Sequence, residues 1–263
     1  MKIEFTKYHG TGNDFIILDN RNFNYSGLNT AQIKKICDRH FGVGADGLML
    51  LQNSSDYNFE MKYYNSDGNE GSMCGNGGRC IVAFAKTLKI LHNSAKFLAI
   101  DGKHEALIDD RNFVILKMKS INIKDITIDN NQYIIDTGSP HLVNYMDNVE
   151  TLDVFTEGKK IRNNNVFFKD GINVNFVKII KENSLFVRTY ERGVENETLS
   201  CGTGAVACAV SHFLRNKYTE NKEIEIDSLG GKLYIDITFE NENVLNITLK
   251  GTTKFVFKGM IEL

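Results

Sequence analysis

NSDGNEGSMCGNGGRC (residues 65–80) runs straight into IVAFAKTLKIL (81–91), and ERGVENETLSCGTGA (191–205) runs as directly into VACAVSHFLR (206–215). Each pair is a glycine-rich loop feeding a segment that is apolar all round. A helix of that kind has to be buried, here wrapped by sheet. In both loops a cysteine stands just before a glycine, two residues before a polar side chain and three before a second glycine. Cys74 and Cys201 lie 127 residues apart, and Thr11-Gly12-Asn13 lies 126 before Thr137-Gly138-Ser139. Cys80 and Cys208, inside the two apolar segments, lie 128 apart. Offsets agreeing this closely predict two similarly folded halves, each carrying one loop-cysteine-helix unit, with one cleft between them.

Alternating patterns around these segments predict strands. In the first half they fall near 2–8, 14–19, 47–52, 58–64, 96–100, 105–109 and 112–118. In the second they fall near 133–137, 172–180, 184–190, 223–227, 232–238, 244–249 and 253–258. Asn29 or Thr30 can cap a helix reaching about Phe41, with Ile33, Ile36 and Cys37 on its inner face. The sole proline, Pro140 in TGSPH, is expected to shape a turn.

The 263 residues are 42% hydrophobic and 24% charged, an ordinary balance for a globular chain. No apolar run approaches a membrane span. The opening MKIEFTKYHG alternates like a strand and lacks the apolar core of a signal peptide. A net charge of −2 with no basic tract argues against a nucleic-acid partner. The chain therefore reads as cytoplasmic, with five reduced cysteines (Cys37, Cys74, Cys80, Cys201, Cys208). Their spacing includes no CxxC pair, so no metal site is expected. GVGADG (42–47) satisfies GxGxxG, but it follows a helix and enters a strand, the reverse of a dinucleotide fingerprint. Nor is there a P-loop or a lysine in a setting suited to pyridoxal, so no cofactor is expected.

What remains is the placement of Cys74 and Cys201. A thiol at a helix N-terminus faces unpaired N–H groups and the positive end of the dipole, which draws its pKa down toward neutrality. The same N–H groups, exposed by Gly75, Gly77 and Gly78 or by Gly202 and Gly204, form an anion cradle. Two such cradles facing each other can hold one carboxylate with a thiol on either side. If the carboxylate belongs to an amino acid, one thiolate removes the α-proton and the opposite thiol returns another, inverting the carbon. Amides aimed at the carboxylate then stabilise the charge without a cofactor.

MCGNGGRC, ERGVENETLSCGTGA and the opening GTGNDF together resemble the diaminopimelate epimerase family, over essentially the whole chain. The resemblance implies a mixed α/β fold of two pseudo-symmetric halves, each a strongly curved, mostly antiparallel sheet wrapped round a buried central helix. The active site would lie in the cleft between residues 1–118, completed by about 252–263, and residues 119–251. It implies interconversion of LL- and meso-2,6-diaminopimelate, on the route to lysine and peptidoglycan, without pyridoxal or metal. A cytoplasmic homodimer is also implied. Carried over residue by residue, Cys74 donates and Cys201 accepts the proton in the LL-to-meso direction. Gly75, Asn76, Gly202 and Thr203 hold the reacting carboxylate. Asn13, Asn65, Asn173, Glu191 and Arg192 contact the substrate and fix its distal end. Arg192 suits that task because its planar fork binds a carboxylate bidentately. His141 and Glu191 match positions that tune the thiols, although a surface turn histidine is the plain alternative for His141. Two residues depart from the pattern of some members. Ser139 stands where they have Asn, and Gly47, with no side chain to reach substrate, where they have Gln.

Two other readings compete. A related two-cysteine racemase acting on proline or hydroxyproline needs no second carboxylate clamp, which the Glu191-Arg192 pair argues against. A thiol redox protein could join Cys74 to Cys201, but redox pairs are usually adjacent, and the two anion cradles would then be idle.

Overall fold

The structure, a computed structural model, describes residues 1–163, 171–241 and 243–263. The chain divides into two compact units, residues 1–116 with 251–263, and residues 117–250. The first contains β1 (Lys2–Gly10), β2 (Asn13–Asp19), α1 (Thr30–Cys37), β3 (Gly47–Gln52), β4 (Phe59–Asn65), α2 (Gly75–Thr87), β5 (Ser94–Ala99), β6 (Gly102–Ile108) and β7 (Phe113–Lys117). The second begins with two short strands, β8 (Ile121–Asn122) and β9 (Thr127–Asp129). It continues through β10 (Gln132–Asp136), β11 (Pro140–Tyr145), α3 (Val154–Arg162), β12 (Asn173–Lys181), β13 (Ser184–Glu191) and β14 (Asn196–Thr198). Then come α4 (Gly202–Arg215), β15 (Lys222–Ser228), β16 (Gly231–Asn241) and β17 (Val244–Thr252). The last strand, β18 (Lys254–Glu262), pairs antiparallel with β1 of the first unit.

The two units repeat one pairing scheme. In the first, β1–β2 is antiparallel, β2–β3 parallel, β3–β4 antiparallel, β4–β5 parallel, and β5–β6 and β6–β7 antiparallel. In the second, β10–β11, β11–β12, β12–β13, β13–β15, β15–β16 and β16–β17 follow the same alternation. Parallel neighbours need a crossover, and a helix lies in each: α1 and α2 in one unit, α3 and α4 in the other. The fold is mixed α/β, dominated by sheet.

Each crossover helix has the pattern its place requires. Every residue of α2 from Gly75 to Ala85 is buried. In α4, Val206, Ala207, Cys208, Ala209, Val210 and Phe213 meet Ile224, Ile226, Leu233, Ile235, Ile237, Leu245, Ile247 and Leu249, the inward alternates of β15, β16 and β17. α1 and α3 are amphipathic instead. Ile33, Ile36 and Cys37 of α1 cover Ile16, Leu18, Leu48 and Leu50, and Val154 of α3 covers Leu142, Val174, Phe176 and Tyr190. Among the described residues no helix is long and apolar enough to cross a membrane.

Several elements differ from the sequence expectation. α1 stops at Cys37 rather than Phe41, because the Asp38 carboxylate accepts hydrogen bonds from the N–H groups of His40 and Phe41, 2.7 Å each, and turns the chain out of the helix. Pro140 is no turn residue. It opens β11 opposite Asp136, a first strand position where a missing N–H is tolerated, and Gly138, with φ +100°, makes the turn. α2 and α4 begin at the glycines themselves, so GNGG and GTG are first helical turns rather than loop. α2 also ends at Thr87 instead of 91. β11 and α3 carry too few periodic residues to stand out in the sequence.

Candidate active site

In the first unit the site gathers at the mouth of α2. Cys74 is the N-cap of that helix, and its Sγ accepts from the N–H of Gly77 at 3.5 Å. The thiol also faces Asn13 Oδ1 at 3.7 Å, and Asn76 Nδ2 donates to that same oxygen at 3.2 Å. Asn13 in turn donates from Nδ2 to Asp46 Oδ2 at 2.7 Å. Asp46 belongs to an ion network with Arg39, 2.7 Å away, which also bonds Asp14 through both guanidinium ends. Lys7 completes it, 2.8 Å from Asp14 and bonded to Gly44 O. Burial would raise the Asp14 carboxyl, but the bonds from Arg39 and Lys7 outweigh it and hold the group down at about 2. Behind the helix mouth lies Arg79, fully buried, with one long bond from Nη2 to Thr11 Oγ1 at 3.4 Å. Its Nε and Nη1 have no partner among the described residues. Burial lowers its pKa to about 10, which negative charge at Cys80 or Cys74 opposes.

The second unit repeats the arrangement at α4. Cys201 is the N-cap, accepting from the N–H of Gly204 at 3.4 Å. Its Sγ lies 3.4 Å from Thr203 Oγ1, which His141 Nε2 contacts at 3.0 Å. His141 is buried inside β11, so the surface-turn alternative is wrong. Its Nδ1 is met by Asn175 Nδ2 at 3.2 Å, while that amide also donates to Leu142 O at 2.9 Å and accepts from Thr189 Oγ1 at 2.9 Å. A side chain at 204 would bring its Cβ within 2.5 Å of Asn175 Oδ1, so glycine there lets the helix mouth sit directly on this buried network.

The remaining expected residues sit at strand ends beside these mouths. Asn65 ends β4, exposed, at the start of a turn in which Gly68 N donates to its carbonyl at 2.9 Å. Glu191 ends β13 and accepts from Thr198 Oγ1 at 3.0 Å. Asn173 is a brace. Its Nδ2 donates to Ser139 Oγ at 2.8 Å and Pro140 O at 2.9 Å, and its Oδ1 accepts from Arg192 N at 2.9 Å. It thereby also holds Ser139 and Arg192 in place. Gly47 opens β3, and a Cβ there would fall 2.5 Å from Cε2 and 2.9 Å from the hydroxyl of Tyr63. The space that a side chain at 47 would take is filled by that phenol.

Asn13, Cys74, Gly75 and Asn76 thus form one cluster. His141, Cys201, Gly202 and Thr203 form a second, and Ser139, Asn173 and Arg192 a braced group beside it. Asp46, Arg79, Asn175 and Tyr63 were not anticipated. The sequence carries a signal for two of them: an asparagine inside the apolar INVNFV (172–177) for Asn175, and an arginine in an otherwise apolar helix for Arg79. Asp46 lies in the GVGADG stretch (42–47), where the glycine spacing is the conspicuous feature.

Burial, reinforced by the charge of Arg192 and resisted by the Asn175 bond, pushes the His141 pKa down to about 3 from 6.5. Between those values the unfolded imidazole holds a proton that the folded one does not. Stability is therefore expected to fall as pH drops from 6.5 toward 3, with a slope approaching about 1.4 kcal/mol per unit. Urea melts between pH 6.5 and 4.5 should show this slope, and His141→Gln should flatten it. An unchanged slope in the variant would refute the assignment. Asp14 acts in a lower window, its contribution being lost from 3.8 down to about 2.

Over its full length the fold matches structures of racemases and epimerases. It superposes on a hydroxyproline epimerase from Agrobacterium vitis with a TM-score of 0.76 at 11% identity, covering 100% of this chain and 93% of that one. A PhzF-family phenazine biosynthesis protein from Bacillus anthracis gives 0.74 at 15% identity, covering both chains completely. Sequence is more specific. The diaminopimelate epimerase family profile matches residues 5–122 and 133–256. A diaminopimelate epimerase of Flavobacterium psychrophilum is 50% identical over 255 residues, spanning 97% of this chain and 98% of its own. One from Chlorobaculum tepidum is 42% identical over 260 residues, spanning 97% and 99%. The protein is an isomerase of the epimerase class. Within that class, it belongs to the diaminopimelate epimerase family.

Proposed function

We propose that the protein interconverts LL- and meso-2,6-diaminopimelate by a two-thiol proton transfer, without pyridoxal or metal. The observation that carries this reading is the repeated helix mouth, where a cysteine caps each buried helix and the glycine N–H three residues on donates to its sulfur. In the LL-to-meso direction the α C–H bond breaks, its proton goes to Cys201, and the electron pair spreads into the carboxylate. Cys74 then gives its proton to the opposite face of the carbon. Gly75, Asn76, Gly202 and Thr203 hold the reacting carboxylate, and amides already oriented toward it need no reorganisation as charge develops. Asn13, Asn65, Asn173, Glu191 and Arg192 serve the substrate's placement and distal end. Ser139 stands where some members have asparagine, and Tyr63 fills the space beside Gly47, where some have glutamine.

The reading extends to a cytoplasmic homodimer. All five cysteines stand as free thiols, which suits a reducing compartment. Phe255, Val256, Phe257 and Met260 of β18 are exposed, an apolar strip of the kind an isologous partner would cover.

Purified protein incubated with LL-diaminopimelate in deuterated water is expected to form meso product with deuterium at the inverted α-carbon. Exchange into proline with none into diaminopimelate would overturn the substrate assignment.

A further inference from the structure

The two helix mouths differ in what faces each sulfur from the side. Both sulfurs accept from the N–H three residues on, at 3.5 Å for Cys74 and 3.4 Å for Cys201. Beside Cys74 stands Asn13, whose amide orientation is fixed by its other neighbour. A carboxylate only accepts, so Asp46 must face the Asn13 NH2 group, and Oδ1 is left toward the thiol and toward Asn76. An acceptor at that place bonds S–H and repels S⁻. Beside Cys201 the logic reverses. Leu142 O also only accepts, so it fixes the Asn175 NH2 toward itself and toward His141 Nδ1. A neutral imidazole accepting at Nδ1 carries its proton on Nε2 and donates to Thr203 Oγ1. The Thr203 hydroxyl proton is then free for Cys201 Sγ.

We propose that Asp46 and Asn175 are positioning residues that preset the resting pair, with Cys74 held as thiol through Asn13 and Cys201 as thiolate through His141 and Thr203. The inference rests on the two-thiol reading and deepens it, because it makes the free enzyme ready for the LL substrate. Other charges bear on Cys74. Arg79 and Cys80 act from α2, Arg79 favouring the thiolate, and Asp14 on β2 is locked between Lys7 and Arg39. Near Cys201, the Arg192 charge reaches the neutral His141. These influences persist in the variants below, so comparing variants isolates the relays.

The test is site-resolved alkylation by iodoacetamide across pH, with the Cys74 and Cys201 peptides followed separately by mass spectrometry. The midpoint for Cys201 is expected below that for Cys74. Asp46→Asn, which frees the Asn13 amide to turn its NH2 to the sulfur, should lower the Cys74 midpoint by about one pH unit. Asp46→Glu, which keeps an acceptor-only group, should restore it. In an Asn13→Ala background, Asp46→Asn should leave the Cys74 midpoint unmoved, a double-mutant cycle that separates amide orientation from bare charge. Thr203→Val and Asn175→Asp should each raise the Cys201 midpoint. A lower midpoint at Cys74 than at Cys201, or an equal Asp46→Asn shift with and without Asn13, overturns the proposal. Midpoints do not depend on substrate, so these results leave the epimerase reading standing, whereas absent α-exchange refutes that reading alone.

Discussion

Replacing either Cys74 or Cys201 with serine is expected to slow epimerisation by at least the roughly 10²–10⁴-fold that a general acid or base supplies. Serine is the informative choice because it is among the best N-cap residues. It should keep the cap that each sulfur now provides and hold the fold, so the loss falls on chemistry alone. A hydroxyl ionises far too reluctantly to share a proton with an α-carbon near neutral pH. The two variants should also differ from each other. With Cys74 replaced, Cys201 can still lift the proton from the LL carbon and return one from solvent to the same face. LL-diaminopimelate in deuterated water should then gain α-deuterium without inversion. With Cys201 replaced, that wash-in should disappear from the LL isomer and persist for the meso isomer. Turnover within tenfold of the parent in either variant would remove that cysteine from the mechanism.

Asn175→Leu is expected to give the largest loss of stability. The amide is fully buried and bonds His141 Nδ1, Leu142 O and Thr189 Oγ1 at once. Leucine is close to isosteric, so the cost is not a cavity. It is three buried polar groups left without a partner, each worth about 1–3 kcal/mol. A loss of roughly 3 kcal/mol or more in urea unfolding should follow, a large share of a typical domain's 5–15 kcal/mol. A loss below 1 kcal/mol would mean that the neighbours find other partners and that the network does not brace β11 against β12 and β13. Catalysis should suffer as well, since freed of Asn175 the His141 ring can take the other tautomer and turn an acceptor toward Thr203.

Much of this was legible in the sequence because the helices that matter most are the least amphipathic. A segment such as IVAFA has no polar face to offer water, so its burial follows from composition, and the repeated cysteine-glycine spacing marked the mouths of both. The strands in the repeated pairing scheme were visible where one face is core, as in β15 and β16. Legibility failed where a local polar bond decided the outcome. Asp38 ends α1 through a side chain that looks in the sequence like one more surface charge. α3 is short and carries only Val154 and Gly158 as buried residues. Asn173 reads in the sequence as a substrate ligand, and the structure adds that its amide also braces Ser139 and Arg192. Asp46 and Asn175 act through what they oblige a neighbouring amide to do, and such obligations exist only once strands far apart in the chain are side by side.

The crowding of Tyr63 against Gly47 has a consequence for how this chain can change. Glutamine at 47 cannot be added to the present protein by a single substitution, because the phenol stands where its Cβ would go, and the Tyr64 carbonyl, 2.7 Å away, stays after the ring is gone. Shrinking Tyr63 removes the ring but leaves the Tyr64 carbonyl too close, so the backbone of β3 or β4 has to shift as well. Glutamine at 47 therefore requires both a smaller residue at 63 and a backbone adjustment between the two strands. A lineage holding tyrosine and glycine here is separated from one holding glutamine by coupled changes in both strands, and chimaeras that exchange β3 without β4 will inherit the clash.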